Sequence, residues 1–380
     1  MKINIIGPYF DSSGYSSHVR QLAYALNKFC EVSLTCNRPP NWPRLMEDTE
    51  FKMLSRNPAE ADINICIGLP MFWKQSMVDG KPFIGFCVWE GDKVPVSWID
   101  IFLDNQVKQI WVPSTHTKDA INNTFKNYLN NSIKIQGWEI KSAEIMNKIK
   151  IVNHGVNSKI FFPDKKNKDN IFRFIASKGW PNGSKDRGGL SFLLKAYMEE
   201  FNTNEKVEML IKINSTYGMN NQILERNMRE LNLTNKTPPA VKIIGDSVDY
   251  EKMCEIYNLG DIFCSTSLAE GFNLNILEAM ACGLPAMTTM FGGMSDFCND
   301  KNSWLLNDGK MIDVSWDLMY ENVSWKLPSI KEIRTQLRYI FNHKEEIGKK
   351  SIEAIDTAKN YSWDNSGKIA FEFLQQIEYQ

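Results

Sequence analysis

The chain of 380 residues is short of several things that would have fixed its class early. It has 4 His, its 8 Cys include no C-x-x-C pair, and no stretch approaches the roughly 18 apolar residues of a membrane span. A clustered metal site, a disulfide scaffold and an integral membrane protein are thereby excluded. The scattered cysteines sit mostly in apolar runs and read as reduced core thiols of a cytosolic protein. Charge of one sign is missing too: 44 Lys plus Arg against 45 Asp plus Glu leave a net charge of -1, so nothing global calls for a polyanion. The opening run Met1-Lys2-Ile3-Asn4-Ile5-Ile6-Gly7 turns polar too soon for a signal peptide.

What is present is ordinary globular material, 43% hydrophobic and 23% charged, which rules out a disordered chain. At roughly 150 residues per domain the length suggests two domains. Short apolar runs alternate with helix-period segments, the pattern of a parallel sheet covered by helices. Strands are predicted at 2–6, 31–35, 63–67, 83–88, 109–112 and 149–152, then at 172–177, 207–213, 241–244, 261–265 and 286–289. A polar break at 163–170 separates the two series, so the fold class is α/β with two Rossmann-like halves and a ligand cleft expected between them. From Trp363 onward Ile369, Phe371, Phe373, Leu374 and Ile377 form an amphipathic helix.

The most specific segment is Ser265 to Pro285, which joins a strand end, a Gly-containing turn, a helix and a Gly-x-Pro stop. Glu270 precedes that helix and Glu278 lies on it, so two carboxylates can face one pocket from a single rigid element. The backbone N–H groups of Gly271, Phe272, Asn273 and Leu274 form a helix N-terminus suited to an anion or to sugar hydroxyls. This run resembles the E-x7-E signature of the retaining GT-B glycosyltransferases, the glycosyl transferases group 1 family. Gly283-Leu284-Pro285 and Gly292-Gly293-Met294-Ser295-Asp296 are similar to its G-x-P and G-G-x-x-E/D segments. The resemblance implies that Glu278 binds the ribose hydroxyls of a sugar nucleotide while Glu270 and the amides after it hold the transferred sugar.

Three loops extend the resemblance. Between Lys178 and Leu190 a strand runs into a Gly-rich basic loop. Gly183 and Gly188 have Walker-like spacing, but Gly189-Leu190 stands where a P-loop needs Lys then Ser or Thr, which excludes an ATPase of that type. The loop is similar instead to the family's diphosphate-neutralising R/K-K-G segment. Arg187 matches its second basic residue, and Lys178 or Lys185 its first. The loop Gly7 to His18 lacks G-x-G-x-x-G and resembles the family's first glycine-rich loop, in which an amide near Gly14 approaches the diphosphate. Trp89-Glu90-Gly91-Asp92, continued by Pro95 and Trp98, stands where many members of the resembled family carry a His-Asp or His-Glu pair beside the reacting carbon. Here Glu90 is the candidate for orienting the acceptor hydroxyl or the sugar. His18 and His116 read as packing or capping residues, and His154 falls in a segment resembling the family's N-G-V-D-x-x-x-F-x-P.

Taken over nearly the whole chain, the resemblance implies GT-B architecture. Residues 1–165 plus 364–380 would form an acceptor-binding domain and 170–363 a donor-binding domain, facing each other across a cleft. The implied activity is metal-independent, retaining transfer of a sugar from a nucleoside-diphosphate sugar to a hydroxyl acceptor. No further cofactor is called for, and no Asp-x-Asp motif points to a metal-bound diphosphate. Glu270, Arg187 and Glu90 are the catalytic candidates; Gly14, Lys178, Lys185, Arg187, Gly271 to Leu274 and Glu278 are the donor-binding ones. Two alternatives stay open: a catalytically silent sugar-nucleotide or glycan binder, and a GT-B nucleotide-sugar epimerase. In 105–150 seven lysines stand against three acidic residues. An anionic acceptor such as lipopolysaccharide, a lipid phosphate or modified nucleic acid is therefore one reading, and a solvated helical face the other. The expected location is cytoplasmic, with contact at the inner membrane face left open.

Overall fold

A computed structural model of the chain describes residues 1–11, 13–37, 46–130, 137–164, 169–180, 186–213, 220–245, 248, 250–315 and 318–377. It forms two compact units, residues 1–155, 313–324 and 361–380 in the first and 156–312 and 325–360 in the second. Among the described residues no helix is long and apolar enough to cross a membrane.

The first unit is built on six parallel strands, β1 (Lys2–Gly7), β2 (Glu31–Cys36), β3 (Ile63–Ile67), β4 (Phe83–Phe86), β5 (Val107–Val112) and β6 (Ile149–Ile151). They lie in the order β2-β1-β3-β4-β5-β6. Ile3, Ile5, Ile63, Ile65, Ile84 and Phe86 are fully buried, as expected of parallel strands covered on both faces. Two polar side chains share that interior because they satisfy each other: Asn4 Nδ2 donates to Asn64 Oδ1 at 3.2 Å, and Thr35 Oγ1 donates to Asn4 Oδ1 at 3.0 Å. The helix Gly14–Leu26 starts where the Ser13 side chain accepts from the Ser16 amide. Against it packs the last helix, Trp363–Leu374, with Lys28 Nζ 2.5 Å from Asp364 Oδ1 and Phe29 stacked on Phe371.

The second unit holds β7 (Phe172–Ser177), β8 (Val207–Lys212), β9 (Val241–Ile244), β10 (Ile262–Ser265), β11 (Ala286–Thr289) and β12 (Ser303–Leu306) in the order β12-β11-β10-β7-β8-β9. All pairings are parallel. Counted from its own first strand this is the doubly wound 3-2-1-4-5-6 arrangement, which reverses between β7 and β10. Helices Leu190–Glu200 and Ile330–Asn342 cover one face through Leu193, Leu194, Ile333 and Leu337.

Eleven of the twelve strands of these two sheets fall within two residues of the bounds predicted from the sequence, whereas the two strands of a further small sheet, Gly309–Asp313 and Ser324–Pro328, were not predicted. The twelfth, β12, was not expected from the sequence. Two boundaries differ. The first stretch of the first unit ends at Gly155 rather than near 165, because Phe161 packs edge-on against Tyr250 and the Asp164 amide donates to Asn258 Oδ1 at 2.7 Å. Part of the expected break at 163–170, residues 165–168, lies outside the described residues. The segment 313–324, assigned from the sequence to the donor half, belongs to the first unit through Tyr320 and Ser324.

The interior of the first unit also contains two histidines, His18 and His154, with ring centroids 4.1 Å apart and Phe86 and Trp363 around them. Burial holds both neutral, pushing His154 down to about 3 and His18 well below its ordinary value of 6.5. The unfolded chain therefore takes up protons first as the pH falls below 6.5, and stability is lost from there toward the folded-state values. The midpoint of urea unfolding is expected to drop between pH 7.5 and 5, and to drop less in His18→Phe. An equal drop in both proteins would show that the pair does not govern the acid limb.

Candidate functional site

In an open α/β sheet, ligands bind beyond the carboxyl ends of the strands at the point where the strand order reverses. In the second unit that point is shared by the loops after β7 and β10. The loop after β7 supplies Lys178 and Arg187, and the loop after β10 supplies Ser267, Glu270 and Asn273. The two loops touch through backbone: Gly189 has φ +71°, and a Cβ there would stand 1.8 Å from the Thr266 carbonyl oxygen. No side chain fits, so Gly189 is a packing requirement.

The side chains converge on Glu270. Lys178 Nζ lies 2.5 Å from Glu270 Oε1, Ser267 Oγ donates to the same oxygen at 2.9 Å, and Arg187 Nη1 stands 3.4 Å from Oε2. Arg187 Nη1 also donates to the Ala269 carbonyl at 2.9 Å, and Lys178 reaches within 3.5 Å of Asn273 Oδ1. Burial by itself would raise the Glu270 carboxyl, but the Lys178 and Arg187 charges outweigh it and hold the group at about 2. At neutral pH Glu270 is therefore a fixed anion bracketed by two cations. Arg187 keeps 40% of its side-chain surface exposed against 10% for Lys178, so it is the more open of the two.

Asn273 caps the helix Leu274–Ala281 from a left-handed conformation, φ +74°, and its Nδ2 donates to Ser265 Oγ at 2.9 Å. Phe272 is buried against Phe297, so at this turn only its backbone faces outward chemistry. Gly292 and Gly293 support the turn from beneath. Added Cβ atoms would stand 2.4 Å from the Glu270 carbonyl oxygen and 2.1 Å from that of Gly271, and the Gly293 amide donates to Glu270 O at 2.9 Å.

Glu278 lies on the same helix and is buried. Tyr250 OH donates to its Oε1 at 2.8 Å and Tyr257 OH to its Oε2 at 3.0 Å. Burial raises its carboxyl to about 7, and the two tyrosine hydroxyls, which favour the charged form, do not cancel that rise. Glu270 and Glu278, eight positions apart, are thus driven to opposite sides of the ordinary carboxylate value. Tyr250 and Ser267 are absent from the sequence-derived site. Tyr250 and Tyr257 share i, i+7 spacing, the one signal that could have paired them on a helical face.

The other candidates lie in the first unit or outside the described residues. Gly14 begins the helix Gly14–Leu26, and a Cβ there would meet nothing within 4 Å. The turn before it is held by Asp11, whose Oδ1 accepts from Ser13 N and Ser16 Oγ. Glu90 follows β4, with Tyr320 OH donating to its Oε1 at 2.6 Å and His116 Nε2 3.0 Å from its carbonyl oxygen. Lys185 lies outside the described residues; of the two lysine candidates, Lys178 is described, at Glu270.

Two parallel six-stranded sheets in two units, the second with its acidic pair beyond the switch point, define the GT-B class of architecture. Residues 184–315 match the family described as glycosyl transferases group 1. Over 183 residues the chain is 31% identical to a sucrose synthase from Melioribacter roseus, a match covering 38% of this chain and 23%, about a quarter, of that protein. Its fold resembles that of the sucrose-phosphate synthase from Thermosynechococcus elongatus, with TM-score 0.68, 15% identity and coverage of 99% of this chain and 98% of that one. It also resembles Anabaena HepE in complex with UDP-glucose, with TM-score 0.68, 12% identity and coverage of 99% and 100%.

A carboxyl held near 7 in the folded state keeps a proton that the unfolded chain gives up near 4.5, so its contribution to stability is lost as the pH rises through about 7. Glu278→Gln is therefore expected to gain in urea midpoint over the native protein at pH 8 relative to pH 5. A difference that stays constant across that range would contradict the buried, elevated carboxyl.

Proposed function

We propose that this protein transfers a sugar from a nucleoside-diphosphate sugar to an acceptor hydroxyl with retention of configuration. The observation that carries the reading is the Lys178–Glu270–Arg187 group at the switch point, with Glu278 farther along the same rigid element. Glycosyl transfer leaves negative charge on the departing diphosphate, and the catalytic requirement is fixed positive charge where it develops. Lys178 and Arg187 supply it, with the amide groups at the N-terminus of Leu274–Ala281 adding partial positive charge. These groups suffice for the diphosphate in this reading, which needs neither a metal nor a further cofactor.

Glu278 receives the ribose hydroxyls. Glu270, anionic throughout the neutral range, accepts hydrogen bonds from the transferred sugar and lies close to the oxocarbenium-like charge of the transition state. The bond from the anomeric carbon to the diphosphate oxygen breaks, the acceptor oxygen bonds to the same face of that carbon, and the acceptor proton passes to the departing diphosphate. Glu90 orients the acceptor hydroxyl. The donor assignment is in keeping with the neighbour Anabaena HepE, whose structure contains UDP-glucose.

Incubation with UDP-, GDP-, ADP- and CDP-glucose, scored by thermal shift and by release of nucleoside diphosphate, is expected to single out one nucleotide. With that donor Lys178→Ala, Arg187→Ala and Glu270→Ala should each lower kcat by about 10²–10³, the usual loss for one preorganised group at the developing charge. NMR should show the donor's anomeric configuration in the product. An inverted product would refute front-face transfer, and donor turnover unaffected by Glu270→Ala would refute this site.

A further inference from the structure

Glu90 is not held by its own neighbourhood alone. Its carboxylate is met by a side chain 230 residues farther along the chain, Tyr320, whose hydroxyl donates to Glu90 Oε1 at 2.6 Å. Tyr320 is buried, and its ring stacks on Trp89 with centroids 5.1 Å apart and planes 25° from parallel. Trp89 in turn meets Trp98 edge-on at 4.8 Å and donates from Nε1 to the Lys93 carbonyl at 2.6 Å. The segment carrying Tyr320 is fastened at a second point, where Asp92 Oδ1 accepts from the Ser324 amide at 2.7 Å. The Val323 amide donates to the Tyr320 carbonyl at 3.1 Å, closing the turn between the two anchors. On its other side Glu90 is tied through its carbonyl oxygen to His116 Nε2.

We infer that Tyr320 is a positioning residue for Glu90, fixing one carboxylate oxygen so that the group presents a single orientation to an acceptor hydroxyl. The physical reason is rotamer entropy: a glutamate on a loop samples several side-chain wells unless a directed bond selects one. The Trp98–Trp89–Tyr320 stack sets where the tyrosine hydroxyl stands, and that hydroxyl sets the carboxylate. The inference rests on the reading of Glu90 as the acceptor-orienting group. Trp98 braces Trp89 and Trp89 braces the Tyr320 ring, so the two tryptophans form the wall against which the tyrosine is held.

The test separates the hydroxyl from the ring. Tyr320→Phe keeps the stack and removes the donor, whereas Tyr320→Leu removes both. A crystal structure of Tyr320→Phe should show the Glu90 carboxylate displaced or in more than one conformer, with Trp89 unmoved. An unchanged Glu90 would overturn the inference whatever the activity. In transfer from UDP-glucose to free hexoses, Tyr320→Phe is expected to lower kcat about tenfold, as is usual for losing one hydrogen bond to a charged group, with KM for UDP-glucose unchanged. The double variant Tyr320→Phe with Glu90→Gln should be no slower than Glu90→Gln alone. A slow Glu90→Gln beside a fully active Tyr320→Phe would sink the positioning role while sparing that of Glu90. A fully active Glu90→Gln would overturn both.

Discussion

The second unit is organised around one electrostatic constraint: a buried carboxylate, Glu270, that stays ionised only because Lys178 and Arg187 stand beside it. Burying a lone carboxylate costs several kcal/mol, so the pairing must be supplied by the fold before any ligand arrives. That requirement dictates much of the surrounding geometry. The loops after β7 and β10 must meet closely enough for a lysine on one to reach a glutamate on the other. The backbone approach of Gly189 to Thr266 makes that possible. The glycine pair at 292–293 then props the Glu270–Gly271 turn from below. Spacing that looks like a motif in the sequence is, in three dimensions, a set of positions where a β-carbon would collide with a carbonyl oxygen.

The two carboxylates show how environment assigns different chemistry to one side-chain type. Glu270 faces cations and is held acidic, whereas Glu278 faces two neutral hydroxyls in a dry setting and is held near neutrality. In the proposed reading, a group that must remain an anion beside a developing cation and a group that must exchange hydrogen bonds with neutral hydroxyls have opposite needs. The rigid helix start at Asn273 separates them by a fixed distance along one element. Because both belong to one turn-and-helix segment, neither can be repositioned without disturbing the other.

Most of the fold was legible because parallel strands buried on both faces write themselves as short continuous apolar runs, and Ile63–Ile67, Phe172–Ser177, Val241–Ile244 and Ala286–Thr289 were read to the residue. The acidic pair was legible because Glu270 and Glu278 stand eight positions apart in one turn-and-helix segment whose spacing resembles a family signature. What escaped was non-local. Tyr250 joins Glu278 from 28 residues away and Tyr320 joins Glu90 from 230, and neither distance leaves a trace in periodicity or spacing. The excursion 313–324 was missed for the same reason: its membership of the first unit is decided by where Tyr320 and Ser324 find their partners. His18, read as a packing residue, is so placed, in the interior of the first unit beside His154.

The discontinuity of the first unit bears on the order in which the protein is made. Its sheet is complete once β6 has been synthesised, yet the helix that packs on Gly14–Leu26 begins only at Trp363. Until then the face of Gly14–Leu26 around Ala25, which Gly367 later approaches within 2.6 Å of its would-be β-carbon, is without its cover. The clamp on Glu90 likewise waits for residue 320. Chains emerging from the ribosome fold as units become available. The first unit is therefore interrupted by the second, and the Gly14–Leu26 face stays uncovered until the chain has reached Trp363.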